Sequence, residues 1–159
     1  MNKIKLIIAD DHKIFLDGII SLLSDYSNFE IVATATSSEE LIELINKYDI
    51  DIVITDITMK GMSGIDATKI ITDLKPGIKV LILSMHKSEE FLLNAVQAGA
   101  CGYLPKDSPS KELIEAINII YKEGCYFNRE ISEYFLKNYT RRHKFEQNII
   151  EKEELTNRE

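Results

Sequence analysis

Two apolar rhythms alternate along the chain. Short apolar segments occupy Ile4–Ala9, Phe29–Ala35, Asp51–Thr55, Lys79–Ser84 and Cys101–Leu104. The first, third and fourth are almost unbroken Ile, Leu and Val, which suits strands covered on both faces. Between them, apolar residues recur three or four apart, the spacing of one helix face. Phe15, Ile19, Leu22, Leu23 and Tyr26 mark a first helix, and Leu41, Leu44, Ile45 and Tyr48 a second. Ala67, Ile70, Ile71 and Leu74 mark a third; Leu92, Ala95 and Val96 a weaker fourth; Leu113, Ala116, Ile117, Ile120 and Tyr121 a fifth. Ser37 with Glu40 reads as a capping box before the second helix. Pro76-Gly77 stops the third. Ser108 and Pro109 suit the N-cap and first position of the fifth, and Gly124 suits its end.

Five strand–helix repeats predict an α/β domain: a doubly wound five-stranded parallel sheet with right-handed crossovers. Periodicity does not force the strand order; the flavodoxin-like order 2-1-3-4-5 is favoured. Residues 1–124 form this domain. Residues 125–154 read as a linker holding one more short helix, marked by Ile131, Tyr134, Phe135 and Tyr139. Residues 155–159 read as the opening of a further domain.

Polar residues interrupt the strands at their C-terminal ends. The first strand runs into Asp10 and Asp11, the third into Asp56, the fourth into Ser84, and Lys106 follows the fifth. In a parallel sheet these ends share one edge, and ligands bind there where the strand order switches. With the order 2-1-3-4-5, the three carboxylates meet in that crevice. Gathered carboxylates repel unless a cation intervenes. Oxygen donors with an incomplete protein shell favour Mg2+, with Mn2+ also suitable. A carboxylate nucleophile, a metal, a hydroxyl and an ammonium make a phosphoryl-transfer site. Each residue alone has a plainer reading as turn former, cap or solvated charge. Their joint position at the ends of four strands points to the site.

The segments ADDHKIFLDGI, VITDITMKGMSGID, LILSMH and AGACGYLPKDSPSKELIEAI carry a resemblance. Residues 3–124 resemble response regulator receiver domains of the CheY-like superfamily, in the NarL/FixJ branch that carries a LuxR-type output domain. The resemblance implies that Asp56 accepts a phosphoryl group from a sensor histidine kinase. It implies Mg2+ on Asp11, Asp56 and the Thr58 backbone carbonyl, with Asp10 acting through water. Lys106 and Ser84 would contact the phosphoryl oxygens, and Tyr103 would be the aromatic that changes rotamer as Ser84 moves. It also implies a homodimer when phosphorylated. The terminal EELTNRE resembles the start of a LuxR-type helix-turn-helix, so DNA would be bound only through a domain missing from this chain.

Three departures stand out. Lys60 replaces the proline of the family's M-P-G-M-x-G loop, Thr58 replaces a frequent Asn, and Ser84 replaces the usual Thr. Gly64 is expected at a backbone angle that other residues disfavour. Thr58 and His86, each two residues past a site residue, are expected to flank the path of water to the acyl phosphate.

Charge agrees with a regulator that does not itself hold nucleic acid. Residues 1–124 carry 12 basic against 19 acidic residues, net -7, and residues 125–159 carry 7 of each. No basic footprint for DNA exists in the front part, and Arg141-Arg142-His143-Lys144 reads as solvated linker. No apolar run approaches the roughly 18 residues of a membrane span. The N-terminus does not resemble a signal peptide, so the expected location is the cytoplasm. Cys101, expected in a buried strand, and Cys125 show no metal-ligand spacing and are expected to be reduced.

Two other functions compete. A haloacid-dehalogenase-like phosphatase also uses an aspartyl nucleophile with Mg2+. It needs D-x-D at the nucleophile, where this chain has Thr58 in second place, and its acidic pair comes late. A phosphorylation-independent pseudo-receiver would serve as an interaction module, but it would not need all five site residues. The chain is therefore expected to be a signalling module rather than an enzyme.

Overall fold

A computed structural model describes residues 2–86 and 88–137 of the chain. Five strands and five helices alternate: β1 (Ile4–Ala9), α1 (Lys13–Ser24), β2 (Phe29–Ala35), α2 (Ser38–Lys47), β3 (Ile52–Asp56), α3 (Gly64–Leu74), β4 (Lys79–Ser84), α4 (Glu89–Gln97), β5 (Gly102–Pro105) and α5 (Ser110–Glu123). All strand pairs are parallel and the sheet order is β2-β1-β3-β4-β5. This is the flavodoxin-like order expected from the sequence. The order reverses direction between β1 and β3, and that is where a crevice opens beyond their C-terminal ends.

Burial follows the composition of each strand. Every residue of β3 is buried, as are all but one in β1 and β4. The edge strand β2 is mostly half-buried. On one face, Leu6, Ile8, Ile54 and Leu81 join Leu16 and Leu23 of α1 and Leu113, Ile117 and Ile120 of α5 in one core. Alternation along the strands sends Ile7, Val53, Val80 and Ile82, all fully buried, to the opposite face. The outer helix markers Tyr26, Tyr48, Leu74 and Tyr121 end up exposed, so each apolar stripe is narrower than its pattern suggests.

Two strands sit one residue later than expected. Asp51 is tied down before β3 begins: its carboxylate accepts the Lys5 N–H at 2.8 Å. Cys101 precedes β5 and is half-buried rather than buried in the strand. Pro105 instead completes β5, at the end of an edge strand where a missing N–H costs little.

The caps also differ in detail. Ser37 accepts the Glu40 N–H at 3.1 Å as expected, but the Glu40 carboxylate reaches the N–H of Thr36 rather than that of Ser37. The box therefore closes one residue early. Pro109 with extended ψ, not Ser108, is the N-cap of α5. Gly124 ends α5 in the left-handed region, as expected.

The chain divides into two compact units, Met1–Tyr126 and Phe127–Glu159. Tyr126 belongs to the first because its N–H donates to Cys101 O at 2.8 Å beside β5. Within the second, residues 129–137 are helical and Phe127 meets Phe135 edge-on at 5.6 Å. Tyr139, the Arg141–Lys144 cluster and residues 155–159 lie outside the described residues. No described helix is long and apolar enough to cross a membrane.

Candidate functional site

The crevice collects the predicted residues. Asp10 and Asp56 are almost wholly buried, and Ser84 is fully so. Lys106, just past β5, extends its ammonium between them, 2.7 Å from Asp10 Oδ2 and 3.0 Å from Asp56 Oδ2. Only 5% of its side chain is exposed. Burial by itself lowers the pKa of Lys106, but the hydrogen bonds and charges of Asp10 and Asp56 outweigh it and hold the pKa above its ordinary value.

Asp11 completes the acidic group from the β1–α1 loop. Its Oδ2 accepts the Lys60 backbone N–H at 3.2 Å. Its Oδ1 is buried and accepts no hydrogen bond among the described residues. Among the described residues, the counter-charge nearest that oxygen is His12 Nδ1 at 3.1 Å, positive only when the imidazole is protonated. His12 also donates its backbone N–H to Asp10 Oδ1 at 2.8 Å. One ligand atom from each of Asp10, Asp11, His12 and Asp56 fits within a 4.8 Å span. An orphaned buried carboxylate oxygen among oxygen donors fits a hard divalent cation such as Mg2+ or Mn2+.

The fourth strand contributes a linked set beside the acids. The Ser84 hydroxyl accepts the His86 N–H at 2.9 Å. Tyr103, buried in β5, donates its hydroxyl to the His86 carbonyl at 2.9 Å. Its pKa is raised, chiefly by burial and further by the Asp56 charge, with a contact to Ser84 opposing. His86 Nε2 lies 2.8 Å from Thr58 Oγ1, and its ring stacks on Phe91 of α4 at 4.4 Å. Thr58 and His86 thus touch across two loops at the crevice mouth.

Gly64 fits for a reason other than the expected one. Its φ is ordinary; Gly61, at φ 81°, is the left-handed residue of this loop. A Cβ at Gly64 would overlap the carbonyl oxygen of Asp56. Only glycine lets the start of α3 approach the strand end so closely.

Three participants were not singled out from sequence. His12 directly follows the acidic pair, and that adjacency was its available signal. Phe15 places its ring 4.4 Å from the Lys106 ammonium, a cation–π contact. Glu39 of α2 accepts the Met62 N–H at 3.2 Å. The last two contacts join residues far apart in sequence, and no local pattern announces them.

Known proteins share this fold and part of this sequence. The family model "Response regulator receiver domain" matches residues 6–118. Transcriptional regulatory protein DegU of Brevibacillus brevis is 35% identical over 140 residues, covering 88% of this chain and 59% of DegU. The chain thus spans about three fifths of that relative. A LuxR-family two-component response regulator from Aurantimonas sp. SI85-9A1 superposes with TM-score 0.79 at 31% identity, over 87% of this chain and 99% of that one. The isolated receiver domain of RcsB from Salmonella enterica serovar Typhimurium, solved with phosphomimetic BeF3-, gives 0.76 at 27% identity, over 83% and 98%. With this fold, this crevice and a family match over most of its length, the chain belongs to the response regulator receiver domain family.

Proposed function

We propose that Asp56 accepts a phosphoryl group from the phosphohistidine of a sensor histidine kinase and that the resulting charge switches this chain. The observation that carries the reading is the convergence of Asp10, Asp11 and Asp56 within reach of Lys106. In the transfer, an Asp56 oxygen bonds to phosphorus as the P–N bond breaks, and the imidazole leaves neutral, taking the bond's electron pair on that nitrogen and keeping the proton on its other ring nitrogen. Asp11, Asp56 and the Thr58 backbone carbonyl would hold Mg2+ or Mn2+, with Asp10 engaged through water. When bound, the cation supplies positive charge to the transferring oxygens.

The residues of this chain account for the remaining steps. Lys106 exchanges a carboxylate partner for a phosphoryl oxygen, since it already lies 3.0 Å from Asp56. The acyl phosphate adds about -1.5 to -2 charges and three acceptors. Ser84 turns its hydroxyl from His86 toward those acceptors. Tyr103, already buried and bonded to the His86 carbonyl, follows the resulting shift of the β4–α4 loop. Thr58 and His86, bonded across the mouth, limit water access to the acyl phosphate.

The name of one relative supports a reading of the output. DegU is named a transcriptional regulatory protein, and we assign this chain the same class of output, through a DNA-binding domain outside it. Phosphorylation would favour a homodimer. The test is beryllofluoride with Mg2+ followed by heteronuclear NMR. Resonance shifts at Ser84, His86 and Tyr103 that vanish in Asp56→Asn are expected. Equal shifts in that variant would overturn the assignment.

A further inference from the structure

The Lys60–Ser63 segment bonds to the β1–α1 loop and to α2. The Lys60 N–H donates to Asp11 Oδ2, and the Met62 N–H donates to Glu39 Oε1. Gly61, at φ 81°, turns the chain between these two donors. The Ser63 carbonyl accepts the Ser38 hydroxyl at 3.3 Å, a second tie to α2. The loop is therefore held from the α2 side, and its first amide holds one oxygen of Asp11. The other oxygen, Oδ1, is buried, accepts no hydrogen bond among the described residues, and lies 3.1 Å from His12 Nδ1, which is itself 3.0 Å from Asp10 Oδ1 and 3.8 Å from Asp56 Oδ2.

This division of labour within one carboxylate has a consequence. An Asp side chain has two rotatable torsions, and a hydrogen bond to one oxygen fixes the direction of the other. We infer that the Lys60 backbone amide is a positioning group for the cation site: it orients Asp11 so that Oδ1 is presented to a divalent cation, and Glu39 braces it through Met62. The inference rests on the cation reading of the crevice. It assigns the task to the backbone N–H of Lys60, a donor that the proline usual at this place in the family lacks, and not to its ammonium. Such outer partners of ligating carboxylates usually change metal affinity by about tenfold or more when removed.

The test compares Mg2+ dissociation constants by calorimetry for the unmodified chain, Lys60→Ala, Lys60→Pro and Glu39→Ala. Lys60→Ala keeps the amide and removes the ammonium; Lys60→Pro removes the amide. The expected result is near-unchanged affinity for Lys60→Ala and about tenfold weaker binding for Lys60→Pro. Glu39→Ala should fall between them. If Lys60→Pro does not fold, the amide is read directly instead. In the metal-free protein, Asp11→Ala should move the Lys60 amide proton upfield, as a donor losing its acceptor does. An unmoved amide proton, or equal Mg2+ affinity for the alanine and proline variants, overturns the positioning role while the cation site stands. Absence of Mg2+ binding by the unmodified chain overturns the cation reading, and the inference with it.

Discussion

Individual residues here are held by opposing electrostatic effects, and Lys106 shows the balance best. Its ammonium is the cation bridging Asp10 and Asp56, so Lys106→Met leaves two buried carboxylates without it. Breaking a buried ion pair from one side costs about 3 kcal/mol or more. Urea unfolding at neutral pH should show a loss of that size. The sign of the alkaline response follows from the raised pKa. The folded protein keeps this proton after the unfolded chain has lost its own, near pH about 10.4. The contribution is therefore complete below that pH and is lost as pH rises through the folded pKa. Tyr103 acts in the same sense, because its folded pKa is also raised. Stability measured from neutral pH upward should fall above about pH 10, and less steeply in Lys106→Met. Gly64→Ala tests a steric claim at the same scale. The added methyl has no room against Asp56 O, and overpacking of this kind should cost about 3 kcal/mol in the same assay.

Much of the site was legible because its residues are polar interruptions of apolar strands. Asp10, Asp11, Asp56, Ser84 and Lys106 stand out in that way, and the structure brings all five to one end of the sheet. Phe15 and Glu39 were not legible, since a cation–π contact and a loop brace leave no periodic trace. Gly64 was legible as a special glycine but not for its reason. Sequence marks the need for a missing side chain without saying whether φ or a neighbour demands it.

Elements are defined most sharply where an apolar run meets a polar residue. Ile4–Ala9, Phe29–Ala35 and Lys79–Ser84 form strands with the bounds their composition suggests. The strands β3 and β5 begin one residue late, although Asp51 and Cys101 already bond to the backbone of neighbouring strands just before them. Caps depend on side-chain reach, and reach is a matter of one residue. Ser37 caps α2 through the Glu40 amide, whereas the Glu40 carboxylate ties back to Thr36. Both bonds fix the chain entering α2, the helix that also carries Glu39. Ser37→Ala should lower stability by about 1 kcal/mol in chemical denaturation. Glu40→Ala, on an exposed partner, should cost about half as much.

At the scale of the molecule, the parallel sheet is what makes the site possible. Four strand ends deliver carboxylates, a hydroxyl and an ammonium to one crevice, and the reversal of strand order between β1 and β3 opens it. No single strand end supplies more than part of the chemistry. The β3–α3 and β4–α4 loops meet above it through Thr58 and His86, so a change at Asp56 has a bonded route to Phe91 on α4. A dimer formed only with beryllofluoride present, seen by light scattering, would place the output of that route at a second copy of the chain. A mass unchanged by beryllofluoride would remove dimerisation from the account.

The most direct measurement is intact-protein mass spectrometry after incubation with acetyl phosphate. With Mg2+ present, the chain should gain the mass of one phosphoryl group. The adduct should be released by hydroxylamine, as acyl phosphates are, and be absent with chelator or in Asp56→Asn. A phosphoryl adduct that forms equally in Asp56→Asn, or no adduct on the unmodified chain with Mg2+, would contradict the account.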